Sequence, residues 1–471
     1  MNRIKKIRTA YLAADLIALA LGWFCFSCIR FIKGAVAFYL SLTSFLFDSK
    51  TIVDFLLLLF FWMFLFFLSG YYNNVIGKSR LDEFFQTFFS VLLGTVGVFF
   101  LVILDDIPWT YKVYYNLFAY LFASVFFFVY TFRLIITQAV TNRIRKGDII
   151  RKCIVIGTGE RALSATHEIN SAHDTLNYDI KGYLSLPHEK ATAVEKAKII
   201  GATDNIGQII DRLQAEEIII AIDSDSDREV IRILYTLYKY NLPIKLYASK
   251  SRILTGGIRV QTLSGFPLVD LTKSNFSDCE NNIKFFADRI LSLAGLIVLS
   301  PLFLYLMLRV RLDSKGPVFF SQWRIGYCGR PFKIWKFRTM YDDNGNSGPS
   351  LTSESDPRVT LYGKFMRKYR LDELPQLWNV LKGEMAIVGP RPEQKYYIDE
   401  IIKTAPYYYL LHNVRPGITS WGMVKYGYAS TVGQMIERLQ YDILYYENMS
   451  LLIDMKIIIY TIRTIFMGKG V

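Results

Sequence analysis

Cysteine is scarce in this sequence, and the few that occur are not spaced as a disulfide or metal-binding framework. The chain has five cysteines in 471 residues, an odd number, and Cys25 and Cys28 form a CxxC pair. That pair lies inside an apolar run, where a thiolate is costly, and no second pair of ligands accompanies it. The cysteine pattern therefore argues against a disulfide-stapled fold, a redox centre and a thiolate metal site.

Acidic residues are also in deficit, and the sequence is far more apolar than a soluble protein of its length. Asp and Glu number 41 against 55 Lys and Arg, which gives a net charge of +14, and 52% of the residues are hydrophobic. This balance is typical of a membrane protein. The positive charge suits nucleic acid, anionic lipid headgroups or phosphorylated substrates, and basic segments beside apolar stretches favour the last two. We therefore expect contact with membrane lipid and no nucleic-acid partner.

Four apolar stretches lie within residues 1–142, and each is near the ~20 residues that a helix needs to cross a bilayer. They are residues 11–32, 52–70, 86–104 and 114–137. The first is too long and too poorly terminated for a cleaved signal peptide. Basic residues dominate "MNRIKKIR" before the first stretch and "RIRKGDIIRK" after the fourth, so both ends of this region are predicted to lie in the cytoplasm. We expect Asp15 and Asp54, near the membrane ends, to be solvated at the interface.

Residues 143–275 have the pattern of an α/β domain, because short apolar runs alternate with amphipathic segments. "RKCIVIGTGERALSATHEI" predicts a strand, a glycine turn and a helix, and "YDIKGYLSL", "AEEIIIAID" and "LPIKLYA" predict further strands. The alternation is typical of parallel βαβ units and predicts a Rossmann-like domain.

The glycine turn, Gly157-Thr-Gly159-Glu-Arg-Ala162, fits the GxGxxA variant of the dinucleotide fingerprint. The acid that would hold a ribose is missing where the second predicted strand ends, near Ser185. Tyr235 and Lys239 match the YxxxK pair of short-chain dehydrogenase-like enzymes, but they lie on a segment with an ordinary buried stripe. Nucleotide binding stays open; we prefer a non-catalytic scaffold or oligomerisation domain and expect no cofactor-binding residues.

A fifth apolar segment, within residues 288–312, has basic residues on both flanks. If it crossed the membrane, the many Lys and Arg residues that follow would lie outside the cell, against their bias toward the cytoplasm. Ser300 and Pro301 fall in its middle, where proline removes a backbone hydrogen bond and kinks a helix. We predict a re-entrant hairpin that enters and leaves on the cytoplasmic side, with a kinked spanning helix as the alternative.

Residues 280–471 concentrate cations beside Gly and Pro turns, as suits the binding of a diphosphate. The set is Lys336, Arg338, Arg367, Arg370, Arg391, Arg415 and Lys425. Asp372 and Glu373 are adjacent, and Pro375 with the apolar stripe that follows predicts that a helix begins at the acid pair. Acids at a helix N-terminus attract phosphate or a metal, and neighbouring helical side chains point about 100° apart, so one acid could attack phosphorus while the other orients Mg2+. An acid pair that only caps the helix is the alternative.

These motifs resemble the bacterial sugar transferase family, the monotopic polyprenyl-phosphate phosphoglycosyl transferases. The resemblance rests on "KFRTM", "RLDELPQLWNVLKGEMAIVGPRPE", "VRPGITSWG" and "YDILYYENMSLLIDMKII", and the N-terminal helices and α/β domain resemble those of its large members. It implies a mainly α catalytic domain at the cytoplasmic face of the bacterial inner membrane. It also implies transfer of a sugar 1-phosphate from a UDP-sugar to undecaprenyl phosphate with release of UMP, the step that initiates capsule, O-antigen or exopolysaccharide synthesis.

The resemblance implies roles for individual residues as well. Asp372 would be the nucleophile that forms a phosphosugar intermediate, and Glu373 and Asp454 would hold Mg2+. Ser300 and Pro301 match the break in the family's hairpin. Six of the cations named above are the expected substrate-binding residues: Lys336, Arg338, Arg367, Arg391, Arg415 and Lys425.

One motif departs from the family pattern. After the tryptophan of "GITSWG" many members carry an Asn-Gly-Arg turn, whereas this chain has Val424-Lys425-Tyr426-Gly427. Lys425 supplies a charge without the two-pronged donor geometry of arginine. The sequence leaves the sugar, the polymer and a homo-oligomeric state open. The alternatives in function are an NAD-dependent nucleotide-sugar-modifying enzyme and a non-catalytic membrane scaffold.

Overall fold

The computed structural model divides the chain into two compact units. The described residues are 2–33, 40–73, 75, 78–101, 111–148, 150–171, 178–186, 193–223, 227–240, 242–247, 268–272, 276–341 and 356–467. The first unit comprises Met1–Ile150, Ile169–Tyr178 and Ser277–Asn282, and the second comprises Arg151–Glu168, Asp179–Phe276 and Ile283–Val471. Most of the α/β domain and the C-terminal part of the chain therefore belong to one unit.

Long apolar helices form the first unit. They are α1 (Asn2–Ile32), α3 (Ser49–Leu68), α4 (Arg80–Leu101) and α5 (Tyr111–Arg145), and a short helix α2 (Leu42–Leu46) follows α1. Four segments in the described residues, one in each long helix, are long and apolar enough to cross a membrane. The four apolar stretches predicted from the sequence are thereby confirmed as helices.

A buried ion pair joins α1 to α5. Asp15 is fully buried, and its carboxylate accepts hydrogen bonds from Nε and Nη2 of Arg133, each at 2.8 Å. Tyr72 donates to the same carboxylate at 2.6 Å, and Nη1 of Arg133 donates to Thr87 on α4. The expected interfacial solvation of Asp15 is therefore wrong, because a cation distant in sequence neutralises it within the helix bundle. Asp54 is half-buried on α3.

In its described residues the α/β domain has a six-stranded sheet in the order β3-β2-β1-β4-β5-β6. The pairs β1–β4, β2–β3 and β4–β5 are parallel, and β5–β6 is antiparallel. The predicted α/β domain with a parallel sheet is confirmed. The strands and helices are β1 (Arg151–Ile156), α6 (Glu160–Ser171), β2 (Tyr178–Ser185), β3 (Ile199–Ala202), α7 (Ile206–Leu213), β4 (Glu217–Ile220), α8 (Asp227–Leu237), β5 (Ile244–Tyr247) and β6 (Leu268–Asp270).

The glycine turn after β1 is filled by groups of the domain itself. A Cβ added at Gly157 would lie 2.2 Å from the carbonyl oxygen of Ala221, and one at Gly159 would lie 1.8 Å from a carboxylate oxygen of Asp223. Asp223 accepts hydrogen bonds from the first two backbone N–H groups of α6, at 3.0 and 2.8 Å. These are the donors that hold a phosphate in the dinucleotide fingerprint, so an internal carboxylate takes the place of an external anion.

The C-terminal part of the second unit packs against the α/β domain. The ring centre of Tyr235, one member of the YxxxK pair, lies 5.8 Å from that of Tyr407, and the two rings are tilted by 38°. The Tyr446 hydroxyl and the Asn413 amide donate to the backbone carbonyl of Thr272, at 2.6 and 3.1 Å. These contacts give Tyr235 a packing role at the surface where the two parts meet.

Where the structure describes it, the C-terminal part is mainly helical with two small sheets. Strand β7 (Phe319–Ile325) pairs antiparallel with β8 (Pro331–Phe337), and β9 (Ala386–Val388) pairs parallel with β10 (Gly417–Thr419). The helices are α9 (Asp278–Val298), α10 (Ser300–Asp313), α11 (Leu361–Lys368), α12 (Gln376–Lys382), α13 (Lys395–Thr404), α14 (Trp421–Lys425), α15 (Val432–Glu447) and α16 (Leu451–Phe466). Helices α9 and α10 are bent by 64° at a short break. The break stands at the predicted Ser300-Pro301 position, and Pro301 lies in the first turn of α10.

Candidate active site

Asp372 and Glu373 lie in a 3-10 turn, Leu371–Glu373, that leads into α12. Arg370, just before the turn, has a left-handed φ of 53°, a strained conformation for a residue with a side chain. Pro375 has helical dihedral angles and is the N-cap of α12. The helix predicted to begin at the acid pair is thus a 3-10 turn first and an α-helix only after Pro375.

The segment buries its polar face and exposes part of its apolar face. Asp372, Glu373 and Gln376 are 8%, 7% and 2% exposed, whereas Trp378 is 48% exposed. Asn379 fixes this orientation, because its amide accepts the N–H of Trp335 and donates to the carbonyl of Lys333, both on β8. The acid pair therefore faces the interior of the domain.

Three cations converge on Glu373. Lys336 on β8 donates to Oε1 at 2.7 Å, Arg391 approaches the same oxygen at 3.5 Å, and Arg370 lies 3.6 Å from Oε2. Burial alone raises the pKa of Glu373, but Lys336, Arg391 and Arg370 outweigh it and hold this pKa below its ordinary range. Glu373 is therefore a fixed negative charge at neutral pH.

Asp372 has the opposite character. Burial raises its pKa to about 6, with help from the neighbouring charge of Glu373 and against the cations Lys336 and Arg367. Within the described residues its carboxylate forms no hydrogen bond or ion pair. A buried carboxylate that is ionised near neutral pH and not held by a donor is suited to nucleophilic attack.

Arg367 and Arg338 are held differently. Arg367 donates from Nε to the hydroxyl of Thr339 at 2.9 Å, and its charge acts on Asp372. Arg338 is buried and donates from Nη2 to the carbonyl of Ser314, at the end of α10, at 2.6 Å. Its Nε and Nη1 have no hydrogen-bond partner in the described part of the chain. Two unpaired donors on a buried guanidinium suit an anion such as a phosphate oxygen.

Arg415 and Lys425 lie against aromatic rings. The Arg415 guanidinium is 4.1 Å from the ring centre of Phe285 on α9. The Lys425 ammonium is 4.8 Å from the ring of Trp421 and 5.1 Å from that of Tyr460. Neither forms an ion pair with the acid pair among the described residues, so their roles in substrate binding stay predictions.

Asp454 is engaged in a separate buried cluster. It accepts hydrogen bonds from Lys284 on α9 at 2.5 Å and from the hydroxyl of Tyr445 at 2.7 Å. Among the described residues no three His, Cys, Asp or Glu side chains are grouped so as to hold a metal. In this structure Asp454 is paired with Lys284 and is not grouped with Asp372 and Glu373, so its role as a metal ligand stays a prediction. The acid pair by itself fits Mg2+, which commonly binds one or two carboxylates together with substrate phosphates and water.

The sequence reasoning missed a group of buried charges behind Arg391. They are Glu393, directly after the GPRP turn, and Arg438 and Asp442 on α15. Each stands in or near a quoted motif, and Arg438 and Asp442 are four residues apart, the spacing of one helix face. No local signal showed that they meet the loop of Arg391, because the contact of Arg438 with Glu393 joins residues that are 45 apart in sequence.

Comparison with known proteins matches both halves of the chain. The family model described as bacterial sugar transferase matches residues 279–468, and the one described as CoA-binding domain matches residues 67–248. The UDP-N-acetylgalactosamine-undecaprenyl-phosphate N-acetylgalactosaminephosphotransferase of Aeromonas hydrophila is 37% identical over 252 residues, 53% of this chain and 58% of the relative. The UDP-glucose:undecaprenyl-phosphate glucose-1-phosphate transferase of Xanthomonas campestris pv. campestris is 31% identical over 330 residues, 68% of either chain.

A shorter relative matches a smaller share of the chain. The exopolysaccharide production protein ExoY of Sinorhizobium fredii is 38% identical over 202 residues, which cover 39% of this chain and 85% of the relative. The chain thus spans 58% of the Aeromonas relative's length and most of the length of ExoY.

Proposed function

The chain belongs to the bacterial sugar transferase family, and on that premise we propose that it transfers a sugar 1-phosphate from a UDP-sugar to undecaprenyl phosphate and releases UMP. The observation that carries the proposal is the buried acid pair, in which three cations hold Glu373 ionised while Asp372 stays unengaged among the described residues. Two relatives are named as transferases acting between these substrates. The reaction would initiate capsule, O-antigen or exopolysaccharide synthesis.

The proposed transfer proceeds by two displacements at one phosphorus. First, a carboxylate oxygen of Asp372 attacks the phosphorus that carries the sugar, and the bond from that phosphorus to the oxygen of UMP breaks. UMP leaves with the electron pair, and the sugar phosphate stays on Asp372 as an acyl phosphate. Then an oxygen of undecaprenyl phosphate attacks the same phosphorus, and the Asp372 carboxylate is released. A soluble donor and a membrane-held acceptor can thereby use one site in turn.

The cations of the site serve the spread negative charge of this transfer. Phosphoryl transfer depends on positioning and on neutralising charge at the phosphate oxygens. Lys336, Arg367 and Arg391 already act on the acid pair, and Arg338 has buried donors without a partner among the described residues. Bound by the acid pair, Mg2+ would add charge neutralisation at the diphosphate. Asp454 as a further metal ligand remains our proposal, with Lys284 as its present partner.

The bend between α9 and α10 supports the re-entrant hairpin, with the catalytic part on the cytoplasmic face of the inner membrane. To test it, Lys315→Cys, just after α10, is made in a Cys328→Ser background, since Cys328 is exposed. In intact cells an impermeant maleimide should miss this cysteine and should label a control, Lys112→Cys, at the start of α5. Labelling of Lys315→Cys from outside would mean that the segment spans the membrane.

The activity is tested with purified protein in detergent, Mg2+ and undecaprenyl phosphate. A panel of UDP-N-acetylgalactosamine, UDP-glucose, UDP-galactose and UDP-N-acetylglucosamine is needed, since the relatives' names give different sugars. We expect UMP release with at least one donor and its loss in Asp372→Asn. Asp399→Asn, the same change at an exposed position on α13, should remain active. Turnover that survives Asp372→Asn would overturn the nucleophile, and no UMP from any donor would overturn the function.

A further inference from the structure

Two loops meet helix α15: the first loop, after β9, is residues 389–394, and the second loop, after β10, is residues 420–425 and consists of Ser420 and the short helix α14. Asp442 on α15 is 4% exposed and accepts the backbone N–H of Gly422, in the second loop, at 2.9 Å. Burial raises the pKa of Asp442, and the Ser420 hydroxyl of the second loop and the backbone N–H of Arg391, in the first loop, act on this pKa in the opposite direction. Helix α15 thus holds both loops, since Asp442 accepts from the second loop and Arg438 donates to Glu393 in the first.

The approach of α15 to the second loop leaves no space for a side chain there. A Cβ added at Gly422 would lie 2.8 Å from Cγ of Arg438 and 2.9 Å from Oδ1 of Asp442. Glycine at this position therefore lets the loop backbone reach the carboxylate directly. The close packing of α15 against the second loop therefore depends on glycine at position 422.

A second buried acid, Glu393, belongs to the first loop and joins it to α15 and β7. Glu393 is 4% exposed and accepts from Nη2 of Arg438 at 2.6 Å and from Nη1 of Arg324 at 3.0 Å. Arg324 also donates to the carbonyl of Pro392 at 3.3 Å. A buried carboxylate with two guanidinium partners is held firmly, because breaking either pair would leave a buried charge uncompensated.

Arg391 stands between these two anchors and turns its guanidinium toward the active site. Its terminal nitrogens lie 3.5 Å from Oε1 of Glu373, and Nη1 lies 3.2 Å from the sulfur of Met423, in the second loop. Asp442 and Glu393 form no hydrogen bond or ion pair with Glu373 among the described residues. These two acids therefore reach the acid pair indirectly, through Arg391 and the loops that carry it.

We propose that Asp442 and Glu393 are positioning residues that hold the loops after β9 and β10 so that Arg391 faces Glu373 and the substrate diphosphate. The proposal rests on the function proposed above, because it assigns Arg391 a phosphate oxygen to bind. A misplacement of about 1 Å at such a cation costs up to about 100-fold in rate.

A double-mutant cycle tests the proposal with the full chain in detergent. Asp442→Asn and Glu393→Gln keep size and remove charge, and each is combined with Arg391→Ala. The matched control is Glu437→Gln on the same helix, an exposed acid whose partner is the Tyr426 hydroxyl. We expect kcat to fall about 10-fold in Asp442→Asn and about 100-fold in Arg391→Ala. Adding Asp442→Asn to Arg391→Ala should lower kcat little further, since both changes remove the same interaction of Arg391.

Each outcome decides the proposal. If Asp442→Asn and Glu393→Gln are as active as the wild type, the proposal is overturned. It is also overturned if the fold-losses in kcat of the single variants multiply in the double variants, since a general structural defect would reduce kcat independently of Arg391. If Asp442→Asn does not fold, Glu393→Gln decides alone; if both are recovered only unfolded, their role is stability and the positioning role is overturned. If the wild type itself releases no UMP, the proposed function has failed. UDP affinity by calorimetry then tests positioning, with equal weakening expected in Asp442→Asn, Arg391→Ala and their combination.

Discussion

Two adjacent carboxylates that are buried to nearly the same extent have pKa values shifted in opposite directions. Asp372 and Glu373 are 8% and 7% exposed, so desolvation acts on both in the same direction. The difference arises from distance to cations: Lys336 donates directly to Glu373, and Arg391 and Arg370 lie within ion-pair range of it. The three cations pair with Glu373, and the negative charge of Glu373 then raises the pKa of Asp372 further. An asymmetric pair of this kind suits a nucleophile beside a fixed anion or metal ligand.

The raised pKa of Asp372 predicts an acid limb in the pH profile. Attack requires the ionised carboxylate, so kcat/KM should fall as pH decreases through about 6, the pKa to which burial raises Asp372. Lys336 lowers this pKa, so Lys336→Met should move the limb to higher pH as well as reduce the rate. UMP release measured from about pH 5 to pH 8 at constant ionic strength tests both statements.

Lys333→Met is the matched control for that shift. Lys333 is on the same strand, but its ammonium lies 5.1 Å from the ring of Trp323 and does not pair with the acid pair in the described residues. Its acid limb should coincide with that of the wild type. An acid limb that stays in place in Lys336→Met would contradict the assignment to Asp372.

At the scale of elements, periodic segments were predictable and very short ones were not. The four apolar helices and strands β1, β2, β4 and β5 follow from length and apolar pattern. Strands β6, β9 and β10 have three residues each, and β3 has four half-buried ones, too few to show a period. The glycine turn shows another limit: its motif predicts an anion at α6 but does not reveal that the anion is Asp223, which is supplied by the loop after β4.

The Asp223 contact predicts how the α/β domain responds to anions. Removing the carboxylate in Asp223→Ala should lower the free energy of unfolding by about 1 kcal/mol, as for other lost helix caps. The freed N–H groups should then bind an external anion, so inorganic phosphate should raise the Tm of Asp223→Ala more than that of the wild type. Asp211→Ala, at an exposed acid on α7, should behave as the wild type does. Calorimetric binding of NAD or CoA by the wild type with displacement of Asp223 would contradict the internal cap.

At the scale of the whole molecule, contacts between distant segments decide what the sequence could not show. The acid pair was predictable because its members are adjacent and stand beside a proline. The pairing of Asp15 with Arg133 spans 118 residues, and that of Asp454 with Lys284 spans 170. The sequence does not show which distant residue pairs with a charged side chain, so Asp15 was predicted to be solvated. The support of Arg391 by α15 escaped prediction for the same reason.

The contacts of Thr272 and Phe276 with the C-terminal part predict where that part can be cut. Phe276 is 3% exposed in the core of that part, and the carbonyl of Thr272 accepts from Asn413 and Tyr446. A chain of residues 271–471 keeps both features, whereas 277–471 loses them. ExoY is matched over 85% of its length by 39% of this chain, so a related protein of much shorter length exists.

We therefore expect residues 271–471 to release UMP in detergent and residues 277–471 to be much less stable. Loss of a buried Phe side chain costs about 3–5 kcal/mol, a large fraction of a domain's total stability. Phe276→Ala within 271–471 should reproduce most of the difference in Tm measured by scanning fluorimetry, because it removes the same ring and keeps the Thr272 carbonyl. Equal Tm values for the two lengths would show that residues 271–276 contribute nothing to the C-terminal core. Loss of turnover in 271–471 with an unchanged Tm would instead show that the catalytic part requires the rest of the chain for activity rather than for folding.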